Sequence, residues 1–164
     1  MLELGIGGGV HSSRVILERH RLTGVDVSQA QLRRARARLP GATLLHADMT
    51  AVGFASNSFD AVVAFYTLTH LPRDEIGPLL TRVAAWLRSC GWFLATFGAG
   101  DNPGSVADDW IGTRMFFSGF DRERNLELLE AAGFRVEREE VVAQDEPGRR
   151  ELAHFHWVLA RTRA

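Results

Sequence analysis

The sequence predicts an α/β fold, a doubly wound sheet of seven strands that is mostly parallel with the last strand antiparallel. Three observations carry that expectation. Strand-like and helix-like segments alternate five times along the chain, the signature of strands linked by crossover helices. The run FDAVVAFY, Phe59 to Tyr66, is almost continuously apolar, as suits a central parallel strand covered on both faces. After a final helix, two more strand-like runs flank a polar turn, which brings the last strand back as a hairpin.

The elements follow in order. Leu2 to Ile6 is a short apolar strand that runs straight into glycines. Val10 to His20 has apolar positions at Val10, Ile16 and Leu17 and reads as a helix. Arg21 to Val25 is the second strand, ending at Asp26. Ser28 to Leu39 is a helix with Ser28 and Gln31 in capping-box spacing, stopped by Pro40-Gly41. Ala42 to His46 is a third strand, ending just before Asp48, and Phe59 to Tyr66 is the fourth. Asp74 to Arg88 places Ile76, Leu79, Leu80, Val83, Ala84 and Leu87 at helical intervals, with Gly91 as its stop. Trp92 to Phe97 is the fifth strand. Gly98 to Gly119 reads as a long irregular stretch, a length associated with functional loops. Asp121 caps a helix to Ala132, closed by Gly133. Phe134 to Val142 and Leu152 to Ala160 are the last two strands, joined by a polar turn from Gln144 to Arg150 containing Pro147-Gly148.

The bulk properties narrow the function classes. With 164 residues, 46% hydrophobic and 24% charged, the chain suits one domain with one core. A net charge of −1 gives no electrostatic case for nucleic acid or an anionic membrane. The basic run RRARAR, Arg33 to Arg38, spreads around its helix as a solvated face. One cysteine, Cys90, excludes an internal disulfide framework and fits a reducing compartment. No apolar run approaches the ~20 residues of a membrane span, and no signal-peptide pattern is visible, so the expected location is cytoplasmic.

The chemistry-bearing residues gather at the strand ends. Gly5, Gly7 and Gly9 lie between the first strand and the first helix, where glycine lets the backbone turn sharply and approach a ligand. The helix start there offers free N–H donors to an anionic group. A dinucleotide fingerprint, G-x-G-x-x-G/A, needs Gly or Ala at position 10, which is Val10 here. The pattern is instead E-x-G-x-G-x-G, from Glu3 to Gly9. Asp26, at the end of the second strand, can accept both hydroxyls of a ribose and would repel a 2′-phosphate. Asp48 can accept from an adenine amino group, with Met49 as an apolar surface for the ring.

These stations together resemble class I S-adenosylmethionine-dependent methyltransferases of the bacterial small-molecule type. LELGIGGG resembles that family's first motif, LTGVDVS (22–28) the second and HADM (46–49) the third. SFDAVVAFYTLTHLP (58–72), LRSCGWFLATFG (87–98) and DWIGTRMFFSGFD followed by LELLEAAGFRVE (109–137) extend the likeness over nearly the whole chain. The resemblance implies a Rossmann-like sheet and S-adenosylmethionine as cofactor, released as S-adenosylhomocysteine. It implies that Gly5, Gly7 and Gly9 approach the methionine part and that Glu3 helps hold its ammonium. Asp26 would take the ribose, Val27 and Met49 the adenine together with Asp48, and Phe65 and Tyr66 the sulfonium side.

On the acceptor side, His70 just past the fourth strand is the candidate base; capping the next helix or bonding to backbone is the alternative of equal weight. Trp110, Met115, Phe116 and Phe117 wall an acceptor pocket, or form a flap on the sheet edge. His154 and His156 share a strand face, as a metal pair would, but paired surface histidines are the better reading, and no metal is expected. His11 is a weak candidate for touching cofactor or acceptor. Two departures from the family stand out. Helices that usually precede the first strand and cover the cofactor are expected to be absent, which leaves three readings: a trimmed start, a homodimer mate or second chain that covers the site, or an open site. Similar loops often read S-H-F-D where this chain has S-G-F-D, at Gly119. The competing function is a non-catalytic or truncated cofactor-binding module completed by another chain.

Overall fold

A computed structural model describes residues 1–145 and 152–163. Its elements are β1 (Leu2–Leu4), α1 (His11–Arg19), β2 (Thr23–Asp26), α2 (Gln29–Arg38), β3 (Thr43–His46), β4 (Phe59–Ala64), a 3-10 turn (Leu68–His70), α3 (Arg73–Trp86), β5 (Leu87–Gly98), β6 (Asn102–Trp110), β7 (Thr113–Gly119), α4 (Arg122–Ala131), β8 (Phe134–Gln144) and β9 (Ala153–Thr162). Seven strands form one sheet in the order β3-β2-β1-β4-β5-β9-β8. β1 to β5 pair in parallel, whereas β9 runs antiparallel to both neighbours. The order reverses between β1 and β4, so the crevice of a doubly wound sheet opens at the carboxyl ends of these strands.

Two apolar layers clamp the sheet. On one side Leu2, Leu4, Val25, Val62, Phe93 and Val158 pack with Ile76, Leu79, Leu80 and Val83 of α3 and Leu129 of α4. On the other, Ile6 and Leu22 meet Leu32 and Leu39 of the α2 segment, with Ile16 and Leu17 of α1 alongside. Phe93 stacks on Phe134 with ring centroids 5.2 Å apart, and both are essentially fully buried. Each such side chain contributes roughly 1.5–3 kcal/mol by leaving water.

Several expectations are corrected. The stretch Gly98–Gly119 is the end of β5 followed by the β6–β7 hairpin, paired through Val106↔Phe116 and Ala107↔Met115. Its tip holds Ile111 and Gly112 at positive φ (49° and 81°), the backbone that two-residue hairpin turns require. Asn102-Pro103-Gly104-Ser105 looks like loop in sequence because a bulge, not a turn, occupies it. β5 starts at Leu87, earlier than Trp92, because Leu87 pairs with Phe59 before Cys90 (φ 58°) bulges the strand. β4 ends at Ala64, before Phe65 and Tyr66: Tyr66 turns left-handed (φ 53°), and its N–H donates to Thr96 Oγ1 rather than to the ladder. Only half of the capping box forms. Ser28 Oγ accepts from Gln31 N, but Ser28 N donates to Asp26 instead of Gln31. The Pro147-Gly148 turn lies outside the described residues. Among those described, no helix is long and apolar enough to cross a membrane.

Candidate functional site

The glycine turn is held from two sides. Gly5 takes φ 68°, and an added Cβ would sit 2.2 Å from Thr67 Oγ1, so the turn is pressed against the segment after β4. Gly7 takes φ 56°, and beyond its two chain neighbours no atom of the described residues lies within 4 Å of where its Cβ would be. The middle of the turn therefore presents bare backbone to open space. Gly9 serves packing instead, because a Cβ there would meet Leu39 Cδ1 at 2.8 Å. The Asp26 carboxylate fixes the turn, accepting from Gly7 N at 2.7 Å through Oδ2 and from Ser28 N at 2.8 Å through Oδ1. A carboxylate has about four acceptor sites, so two remain for a ligand.

Glu3 sits at the root of this turn and is only 3% exposed. Ser13 Oγ, in the first turn of α1, donates to its Oε1 at 3.0 Å, while Oε2 is buried without a partner among the described residues. Burial pushes the Glu3 carboxyl up to about 7, against a smaller opposing effect of the Ser13 hydrogen bond. Desolvation disfavours the charged form, and a cation or donor reaching Oε2 would favour it.

The neighbouring strand ends add the remaining stations. Asp48 is exposed, and its Oδ1 accepts from both Thr50 N and Thr50 Oγ1 at 2.8 Å. Val27 is 71% exposed although apolar, with its carbonyl bonded to His46 Nε2 at 2.9 Å. Met49 is partly buried against the main core. Glu3, Gly5, Gly7, Asp26, Val27, Asp48 and Met49 thus belong to one edge of the sheet. Gly9 is turned towards α2. His11 lies beyond the turn, lining a recess of about 410 Å³ with Gly9, Val10, Arg14 and Arg38.

A larger cleft of about 900 Å³ opens beyond Thr67, between the end of β4, the hairpin and the start of β9. Tyr66, His70, Trp110, Phe117, His154 and Phe155 are among its lining residues. Met115 and Phe116, expected beside Trp110, are not among them. His70 Nδ1 lies 3.0 Å from the Phe116 carbonyl. A carbonyl only accepts, so Nδ1 carries the hydrogen and the lone pair of neutral His70 is on Nε2. Backbone bonding and availability as a base are therefore compatible. Phe65 packs on Trp157, 5.7 Å between centroids, and is not among the cleft's lining residues.

The expected pair of surface histidines is half wrong. His154 is exposed at the cleft, but His156 is fully buried, bonded to Glu139 Oε2 at 2.9 Å and facing Asn125 from α4. Burial lowers the affinity of His156 for a second proton, opposed by Glu139. Strand alternation alone could not reveal that α4 covers one of the two. Among the described residues no three His, Cys, Asp or Glu cluster as a metal site would.

Sequence reasoning missed Ser13, Thr67 and Arg73. Arg73 hooks the hairpin base, donating from Nε to the Asn102 and Gly119 carbonyls at 2.9 Å and pairing with Asp101. No local pattern announces a contact across 28 residues of sequence.

Comparison with known proteins meets this geometry. A protein-family model described as "Methyltransferase domain" matches residues 1–91. An uncharacterized methyltransferase of Mycobacterium bovis is 34% identical over 126 residues, 67% of this chain and 64% of its own length. The chain spans 62–64% of the length of the first curated relatives it matches. Among solved structures, a SAM-dependent methyltransferase of Methanosarcina mazei superimposes with TM-score 0.84 at 20% identity, over 99% of this chain and 91% of that one. The 1,6-didemethyltoxoflavin-N1-methyltransferase of Burkholderia thailandensis, solved with its substrate and S-adenosylhomocysteine, gives TM-score 0.75 at 22% identity, over 99% and 70%. These two share the fold. Through the match over its first 91 residues, the chain belongs to the methyltransferase-domain family.

Proposed function

We propose that residues 1–164 act as a single methyltransferase domain that transfers a methyl group from S-adenosylmethionine to a small-molecule acceptor. The observation that carries this reading is the buried Oε2 of Glu3, without a partner among the described residues, at the root of a turn whose Gly7 faces open space. The donor set fits the cofactor: a cationic amino group satisfies Glu3, and ribose hydroxyls meet the two free acceptor sites of Asp26. Val27 and Met49 offer apolar contact to the adenine and Asp48 an acceptor for its amino group, while Gly5 and Gly7 let the backbone approach. The cofactor supplies a methyl group on a positively charged sulfur, already activated for displacement.

The protein's part is then positioning and exclusion of water. Tyr66 borders the acceptor cleft, and its neighbour Thr67 packs on Gly5, so the two sites are joined. His70 Nε2 receives the proton when the acceptor's O–H or N–H bond gives way to a bond to carbon. The bound S-adenosylhomocysteine and small-molecule substrate of the Burkholderia neighbour support the same reading. A cytoplasmic location accords with the single cysteine, and a homodimer mate or second chain covering the cofactor site is the accompanying reading for assembly.

Calorimetric titration with S-adenosylmethionine and S-adenosylhomocysteine tests the cofactor. Methyl release over an acceptor panel separates an enzyme from a binding module. Absence of binding by either compound would remove the proposal.

A further inference from the structure

Resting on that reading, we infer that the acceptor is a planar aromatic molecule carrying a hydroxyl, held between two aromatic walls of the 900 Å³ cleft with its O–H directed to His70 Nε2. One wall is Tyr66 standing edge-on to Phe155, ring centroids 4.8 Å apart. The other is Trp110 edge-on to Phe117 at 5.2 Å, with the His70 ring tilted on Phe117 at 4.9 Å. All five rings line the same cleft. They come from four separate parts of the fold: the end of β4, the 3-10 turn, the hairpin and β9.

Tyr66 is set there at a conformational cost. Its left-handed backbone (φ 53°) is uncommon for a residue with a side chain, and such strain persists only where surroundings hold it. The Thr96 hydroxyl accepts its N–H, and its own hydroxyl donates to Gln144 Oε1 at 3.1 Å. Tyr66 also stands edge-on to Trp157, ring centroids 5.6 Å apart, so two aromatic rings of β9 brace it. The opposite wall is equally fixed. Arg73 ties the hairpin base through Asn102 and Gly119, and Ser118 Oγ donates to the Leu71 carbonyl. Rings held in this way offer their faces and edges to another ring at little entropic cost.

The requirement for a hydrogen-bond donor, which a hydroxyl meets, comes from His70. Its Nδ1 hydrogen is committed to the Phe116 carbonyl, so the remaining nitrogen has only a lone pair to offer and selects a donor. A phenolic O–H satisfies it; an ether does not.

Calorimetry on the full chain saturated with S-adenosylhomocysteine reads the proposal through binding. The probes are 2-naphthol, its saturated analogue 2-decalol and its capped analogue 2-methoxynaphthalene. We expect 2-naphthol to bind about tenfold more tightly than 2-decalol, the ratio that two aromatic contacts supply, and about fivefold or more above 2-methoxynaphthalene. In Trp110→Leu the first ratio shrinks; in His70→Phe the second vanishes. Equal affinities for 2-naphthol and 2-decalol on the unmodified protein would overturn the aromatic slot, with no dependence on a variant folding. Equal affinities for 2-naphthol and 2-methoxynaphthalene would overturn the hydroxyl requirement. Failure of S-adenosylhomocysteine to bind sinks the cofactor reading instead, and the three probes, titrated without it, then still report on the cleft.

Discussion

Replacing Glu3 by Gln isolates the least comfortable group in the molecule. The side chain is almost wholly buried, one oxygen is bonded to Ser13, and the other has no partner among the described residues. Its carboxyl moves from 4.5 to about 7 on folding. At about 1.4 kcal/mol per unit, the full change from 4.5 to about 7 amounts to roughly 3.5 kcal/mol, most of it between pH 4.5 and pH 8. The sign follows from linkage: the folded value lies above the unfolded one, so the protonated form is favoured in the native state. The stability associated with Glu3 is fully present below about pH 4.5, is lost as pH rises through about 7, and stays lost above that. Glutamine keeps the Ser13 contact and does not titrate. The difference in unfolding free energy between Glu3→Gln and the parent should therefore shift by about 3 kcal/mol in favour of the variant between pH 4.5 and pH 8. Urea unfolding of both proteins at the two pH values, without ligand, measures it, because every other carboxylate is common to both and cancels. A difference that does not change with pH would mean that Glu3 is solvated or already paired. The case for a cationic amino group at Oε2 would fall with it.

The same carboxylate makes cofactor affinity depend on pH: binding of S-adenosylmethionine should strengthen by up to about tenfold per pH unit from 5.5 towards 7 and level off by 8, read by calorimetry with proton release below 7. Asp26→Ala should weaken S-adenosylhomocysteine binding by about 1–3 kcal/mol, since ribose hydroxyls lose their acceptor; unchanged affinity would put the ribose elsewhere. Gly5→Ala should destabilise the fold by several kcal/mol, on the order of other overpacked sites, because its methyl group would strike Thr67. Gly7→Ala should cost only about 1–2 kcal/mol for its left-handed backbone yet reduce cofactor affinity, a contrast that thermal unfolding and titration resolve. His70→Gln should lower the methyl-transfer rate by about 10²–10⁴ with the cofactor dissociation constant unchanged.

The sequence by itself determined the parallel half of the fold and the edge on which the candidate site lies. Apolar runs, glycines and terminal acids repeat at short range, and in a doubly wound sheet each strand end must arrive at the same crevice. Glu3, Gly5, Gly7, Asp26 and Asp48 could therefore be grouped before any contact was known. Only the tertiary structure decided what these residues touch. Asp26 spends half its capacity on Gly7 and Ser28, Glu3 is left with one oxygen unpaired among the described residues, and Gly9 packs on Leu39 while Gly7 stays open. The hairpin, the left-handed Tyr66 and the burial of His156 were illegible for the same physical reason. Each depends on partners distant in sequence (Arg73, Thr96, and Glu139 with Asn125) whose approach is set by how the layers pack and leaves no local period in the chain.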